Sequence, residues 1–154
     1  VTVDERAPTL LVIEDAQDQA ILAGVAARRA LPGLEVHIAE DGQKGIDFLS
    51  GIAGHSDPPR NPTPDLIILD LVMPVVDGFG VLEWLKEHGG APCPVVVLTS
   101  TLTPENNEKA RALGVTEAHA KPANLDDLGS AVFRIVTRWI QPGDMIAAHM
   151  RDLG

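Results

Sequence analysis

At 154 residues the chain can bury one proper core, and 45% hydrophobic residues with only 3% aromatic make that core aliphatic. A net charge of −10 without any basic run argues against a nucleic-acid-binding surface, and a single cysteine, Cys93, leaves no disulfide framework. No apolar run approaches the ~20 residues of a membrane span and the start carries no signal-peptide pattern, so a cytoplasmic protein is expected.

Along the chain, short apolar runs alternate with helical patterns five times. The first strand falls at about Thr9–Ile13 and its helix at about Gln17–Ala30, ended by Pro32-Gly33. A second strand at about Glu35–Ala39 is followed by a helix around Gly42–Ser50. The third strand, Leu66–Leu69, precedes a helix at about Gly78–His88. The fourth, Val95–Leu98, precedes a helix from Pro104 to Leu113, opened by Thr103 as N-cap with proline at the first helical position. The fifth strand, about Glu117–Ala120, is short and weak, and the last helix runs from about Leu125 to Ile140. Alternation of this kind predicts a parallel sheet covered by helices on both faces through right-handed crossovers.

The ends of these strands carry the chemistry. Strand one runs into Glu14-Asp15, and strand three into Asp70, followed by Met73-Pro74 and the turn signal Asp77-Gly78. Open α/β sheets bind ligands outside the carboxyl ends of their strands, so two such strands side by side would bring three carboxylates together. Like charges that close repel unless a cation intervenes, and a few oxygen ligands suit Mg²⁺ better than a transition metal. Any one of these acids alone reads as a solvated residue capping the helix that follows. Strand four ends in Thr99-Ser100 and strand five in Lys121-Pro122, adding hydroxyls and an ammonium to the same edge. Asp70 as nucleophile, with a lysine and a hydroxyl to take up phosphoryl charge, makes a phosphoryl-accepting site.

With these pieces in this order, the chain resembles the response-regulator receiver domain of two-component signalling over about residues 9–140. The resemblance implies a flavodoxin-like three-layer α/β sandwich whose five-stranded parallel sheet has the order 2-1-3-4-5, with five helices. It implies that Asp70 accepts a phosphoryl group from a phosphohistidine on a sensor histidine kinase. Asp15, Asp70 and the backbone carbonyl of Val72 would bind Mg²⁺, Glu14 would act through metal-bound water, Lys121 would contact the phosphoryl oxygens, and Thr99 would move to hydrogen-bond them. A cis peptide before Pro122 is implied as well. Such a protein is a phospho-acceptor that catalyses its own phosphorylation and dephosphorylation rather than an enzyme acting on a separate substrate. The long segment 51–64, with Phe48-Leu49 before it and Val97–Ser100 after it, looks like the stand-alone receivers paired with bacterial phytochromes. It also reads as a tolerated proline-rich surface insertion.

Three departures from the family pattern stand out. Ala118 occupies the position, three before Lys121, that usually holds an aromatic ring, so the usual aromatic coupling cannot operate in that form. Glu14 replaces the commoner aspartate. Val72 has no polar side chain to orient an attacking water, so a comparatively long-lived phosphoryl-Asp70 is expected, checked by timing phosphate loss against Val72→Asn.

The expected organisation is one receiver domain over residues 1–154, with a core at 9–140 and a C-terminal extension at 141–154 in which Asp144–Leu153 could form a short helix. Output would then pass through an unknown downstream protein or a phosphorelay. The last helix carries an apolar arc of roughly 160°, wider than the ~100° stripe needed to cover a sheet. The surplus fits either packing against the tail or a homodimer through this helix and the tail. Arg28-Arg29 reads as a helix-dipole complement, or less simply as kinase docking, and the five histidines show no metal-ligand spacing. The rival readings are a receiver-like binding module that works without phosphorylation and a small flavodoxin-like enzyme. The complete acid, hydroxyl and lysine set weighs against the first; the missing glycine-rich phosphate loop weighs against the second.

Overall fold

The structure, a computed structural model, describes residues 7–140. The expected helix at 144–153 therefore lies outside the described residues. In chain order the elements are β1 (Thr9–Ile13), α1 (Gln17–Ala30), β2 (Glu35–Ala39), α2 (Gly42–Leu49), β3 (Leu66–Leu69), α3 (Gly78–Glu87), β4 (Val95–Thr99), α4 (Pro104–Ala112), β5 (Glu117–Ala120) and α5 (Leu125–Trp139). The five strands pair in parallel in the order β2-β1-β3-β4-β5.

Side chains on a strand alternate between faces, and that period of two divides the core. Leu10, Val12, Leu66, Ile68, Val96 and Leu98 pack against α1 and α5 through Ala23, Ala27, Val132 and Val136. Leu11, Ile13, Ile67, Leu69, Val95 and Val97 point the other way, onto Leu49 of α2, Val81, Leu82 and Leu85 of α3 and Ala110 of α4. Strands buried on both faces explain the unbroken apolar runs, each fully buried Leu, Ile or Val contributing about 1.5–3 kcal/mol. The outer strands are more exposed, and Glu35–His37 and Glu117–His119 side-chain bonds lie along them.

The helix starts follow local chemistry. Asp41, Asp77, Thr103 and Asn124 cap α2, α3, α4 and α5, each accepting from the amide three residues on. Helix α1 lacks such a side-chain cap; instead the Glu14 carboxylate accepts from the Ala16 amide at 3.1 Å. Four helices end one residue or so from their expected bounds. Strand β4 runs one residue further than expected, to Thr99, because its carbonyl still pairs with the Lys121 amide at 2.8 Å.

One expectation is corrected. The cis peptide expected before Pro122 is not found; the cis bond among the described residues is Asp57–Pro58, in the insertion. Either isomer is within ~1 kcal/mol for an X-Pro bond, so resemblance alone could not decide it. The insertion lies largely on the surface but is anchored at several points. Ile52 is buried, Asn61 donates to the Phe48 carbonyl at 2.9 Å, and His55 meets the Trp84 ring edge-on at 5.4 Å.

Candidate functional site

The site is built where β1 and β3 end side by side. Ile13 pairs with Leu69, and the Asp70 amide donates to the Ile13 carbonyl at 3.1 Å, so Glu14 and Asp70 emerge together. Glu14 is 8% and Asp70 6% exposed, while Asp15 faces solvent. One carboxylate oxygen from each of the three lies within 4.8 Å of the others. Gly78 makes the arrangement possible on the far side: a Cβ there would run into the Asp70 carbonyl, because the start of α3 folds back over the end of β3. The loop between them holds Val75 at φ 69°, a left-handed conformation that strains a β-branched residue by about 1–3 kcal/mol.

Lys121, delivered by the end of β5, closes the site. Its ammonium donates to Glu14 Oε2 at 2.9 Å, to Asp70 Oδ2 at 2.8 Å and to Gln19 Oε1 at 2.6 Å. Burial opposes the charge on Lys121, but its bonds to Asp70 and Glu14 outweigh that and hold its pKa above the usual value. Glu14 is pushed from 4.5 up to about 7, first by burial and then by the Asp70 charge, with Lys121 and the Ala16 amide pulling the other way. Lys121 alone therefore leaves the acids short of positive charge. A hard divalent cation would supply it, and an all-oxygen donor set fits such an ion.

The remaining expected residues are placed less simply. Val72 sends its amide to Asp70 Oδ1 at 3.2 Å, and its side chain stands exposed beside the acceptor. Thr99 is fully buried at the end of β4, its hydroxyl 3.2 Å from that of Thr101 rather than on Asp70. Arg28 and Arg29 sit in the last turn of α1, as dipole complements do. Glu14, Asp15, Asp70 and Lys121 thus come together as expected. Gln19 was missed. Its signal in the sequence is only a polar residue four past Asp15, and nothing local says that it reaches a lysine 102 positions away.

Comparison with known proteins agrees with this geometry. A family model described as the response regulator receiver domain matches residues 10–133. The chain is 30% identical over 148 residues to the response regulator Rcp1 of Synechocystis sp., covering 94% of this chain and 99% of that one. It is 29% identical to the transcriptional regulatory protein DltR of Streptococcus agalactiae, but spans only 57% of its length. Among solved structures, the Mn²⁺-bound form of Rcp1 superposes with a TM-score of 0.74 at 29% identity, covering 88% of this chain and 96% of that one. The phosphorylated cyanobacterial phytochrome response regulator RcpA gives 0.75 at 26% identity, with the same coverage.

Proposed function

The chain belongs to the response regulator receiver domain family, and on that footing we propose that Asp70 takes a phosphoryl group from a phosphohistidine on a sensor histidine kinase. The observation that carries this reading is the Lys121 ammonium bridging Asp70 and Glu14 at the strand ends, within reach of charge arriving on Asp70. An Asp70 oxygen attacks phosphorus, the N–P bond breaks, its electron pair leaves with the imidazole, and an acyl phosphate forms. Lys121 meets the phosphoryl charge, and Thr99 exchanges its Thr101 partner for a phosphoryl oxygen. Asp15, Asp70 and the Val72 carbonyl would hold Mg²⁺, with Glu14 acting through bound water. When bound, the ion supplies the positive charge that neutralises the phosphoryl oxygens.

The kinase partner is read as phytochrome-type, supported by the likeness to the phytochrome response regulator RcpA and by the segment 51–64. We read residues 1–154 as one cytoplasmic receiver unit that signals through a downstream protein or a relay. No described helix is long and apolar enough to cross a membrane. A homodimer through α5 is supported by the split of its wide apolar arc: Leu128, Val132, Ile135 and Val136 are buried, whereas Leu125 and Phe133 remain exposed.

The test is incubation with Mg²⁺ and acetyl phosphate, followed by intact mass, for wild type and Asp70→Asn. A gain of one phosphoryl group in the wild type alone is expected. Equal uptake by both would remove Asp70 as the acceptor, and no uptake from acetyl phosphate or a histidine kinase would favour a module that works without phosphorylation.

A further inference from the structure

We propose that Gln19 is a positioning residue for the phosphoryl-transfer site, holding the Lys121 ammonium over Asp70 through its amide oxygen. The inference rests on Asp70 being the phosphoryl acceptor. A lysine ammonium has three protons and no acceptor of its own. Here the Lys121 side chain is only 9% exposed, and all three protons are engaged, one each by Glu14, Asp70 and Gln19. Three acceptors around one nitrogen fix its position, where two would leave it free to swing about the line joining them.

The three acceptors are not equivalent. Asp70 is the atom group that changes when the phosphoryl group arrives, and Glu14 belongs to the acid set that a divalent cation would engage. Gln19 is the one acceptor outside that chemistry, and its 2.6 Å contact is the shortest of the three. It is also neutral. A fourth carboxylate would add repulsion to Glu14, Asp15 and Asp70, whereas an apolar side chain would leave a nearly buried N–H unpaired. An amide avoids both.

Its support is rigid. Gln19 stands in the first turn of α1, and the Ala16 amide just before that helix holds the other oxygen of Glu14 at 3.1 Å. The start of one helix therefore sets two of the three partners of Lys121. A phosphoryl group on Asp70 would alter one partner and a divalent cation would engage the acids, whereas the bond from the ammonium to Gln19 needs no change. The lysine is thereby ready for the oxygens that gain charge in the transition state, without reorganisation at that moment.

Gln19→Met keeps the length and volume of the side chain and removes the acceptor. With acetyl phosphate and Mg²⁺, it should lower the maximal phosphorylation rate roughly tenfold while leaving the donor KM unchanged, since misplacement acts on the transition state. In a Lys121→Met background, itself slower, the same change should have no further effect, because Gln19 acts only through the ammonium. In ¹⁵N-lysine-labelled protein without donor, the Lys121 ammonium resonance of the wild type should broaden in Gln19→Met, while circular dichroism shows the variant still folded at the assay temperature, if less stable for its unpaired N–H. A wild-type rate in Gln19→Met, an unchanged ammonium resonance, or an equal loss in the Lys121→Met background would each overturn the role. Failure of the wild type itself to take up phosphate from any donor would overturn the underlying reading as well, and is told apart because the variants and the wild type would then be alike.

Discussion

Two clusters on this molecule have nearly the same distances and opposite physical meaning. At the strand ends, Lys121 lies 2.9 Å from Glu14 and 2.8 Å from Asp70, with side chains 9%, 10% and 7% exposed. Near the other end of β5, Arg138 lies 3.1 Å and His119 2.7 Å from Glu117, with the Arg138 and His119 side chains 67% and 48% exposed. In the first cluster water is largely excluded, so an unbalanced charge is costly: Glu14 is displaced toward its neutral form, while its bonds to the acids hold Lys121 charged. In the second, water competes for the Arg138 and His119 side chains, though Glu117 itself is only 14% exposed, and the carboxylate of Glu117 is held below its usual pKa, chiefly by the His119 bond. Contact distance by itself says little about energy. Burial decides whether an ion pair is a sensitive device or a solvated ornament of the surface.

The sharpest way to break this comparison is to remove the central cation. Lys121→Met should destabilise the protein by about 3 kcal/mol at pH 8, since it strands two nearly buried carboxylates. The loss should shrink at pH 6 as Glu14 takes up a proton. Urea unfolding at the two pH values measures it; equal stability of variant and wild type at pH 8 would mean that the buried acids were never relying on the lysine.

The next effect is a pH slope of known sign. Glu14 is raised from 4.5 to about 7, so the folded protein holds a proton that the unfolded chain has already released. Stability therefore falls as pH climbs from about 4.5 to 7, and the whole loss is present above that. Solvent screening keeps it to about 1–3 kcal/mol, less than the full conversion of the shift. Glu14→Gln, unfolded in EDTA, should show no such decline and be the more stable protein at pH 8. A parallel decline in the variant would assign the slope to another group. Glu117 has the opposite sign, because its lowered pKa contributes stability above 4.5 that is lost as pH falls through the folded value.

The smallest effect belongs to the exposed cluster. Arg138→Ala should cost less than about 1 kcal/mol and less still in 1 M salt, as exposed ion pairs do. A loss as large as that for Lys121→Met would collapse the distinction between the two clusters.

Much of this was legible beforehand for reasons that differ by element. The strands β1, β3 and β4 announced themselves because a strand buried on both faces must be an unbroken aliphatic run. The start of α4 was legible because Thr103 and Pro104 act within one turn. In contrast, Asp77 read as a turn residue and is the cap of α3, since Asp-Gly serves both purposes. The insertion concealed its packing on Trp84, because loops of that composition are compatible with free solvent. The wide apolar arc of α5 gave its width but not its division into buried Val132 and exposed Phe133, which depends on where α1 lies beside it.

The alternation of elements, the order of chemistry along the sheet edge and the acids that end β1 and β3 could all be read from the residues in order. These follow from periodicity and residue type, which act over a few positions. That Lys121 shares its three protons among Glu14, Gln19 and Asp70, partners 107, 102 and 51 positions away, emerges from the folded arrangement alone. Contacts of that separation are set by how the crossovers lay α1 and β5 against the central strands. No local pattern encodes them, because what selects them is the cost of leaving a buried ammonium or carboxylate unpaired once the fold has formed.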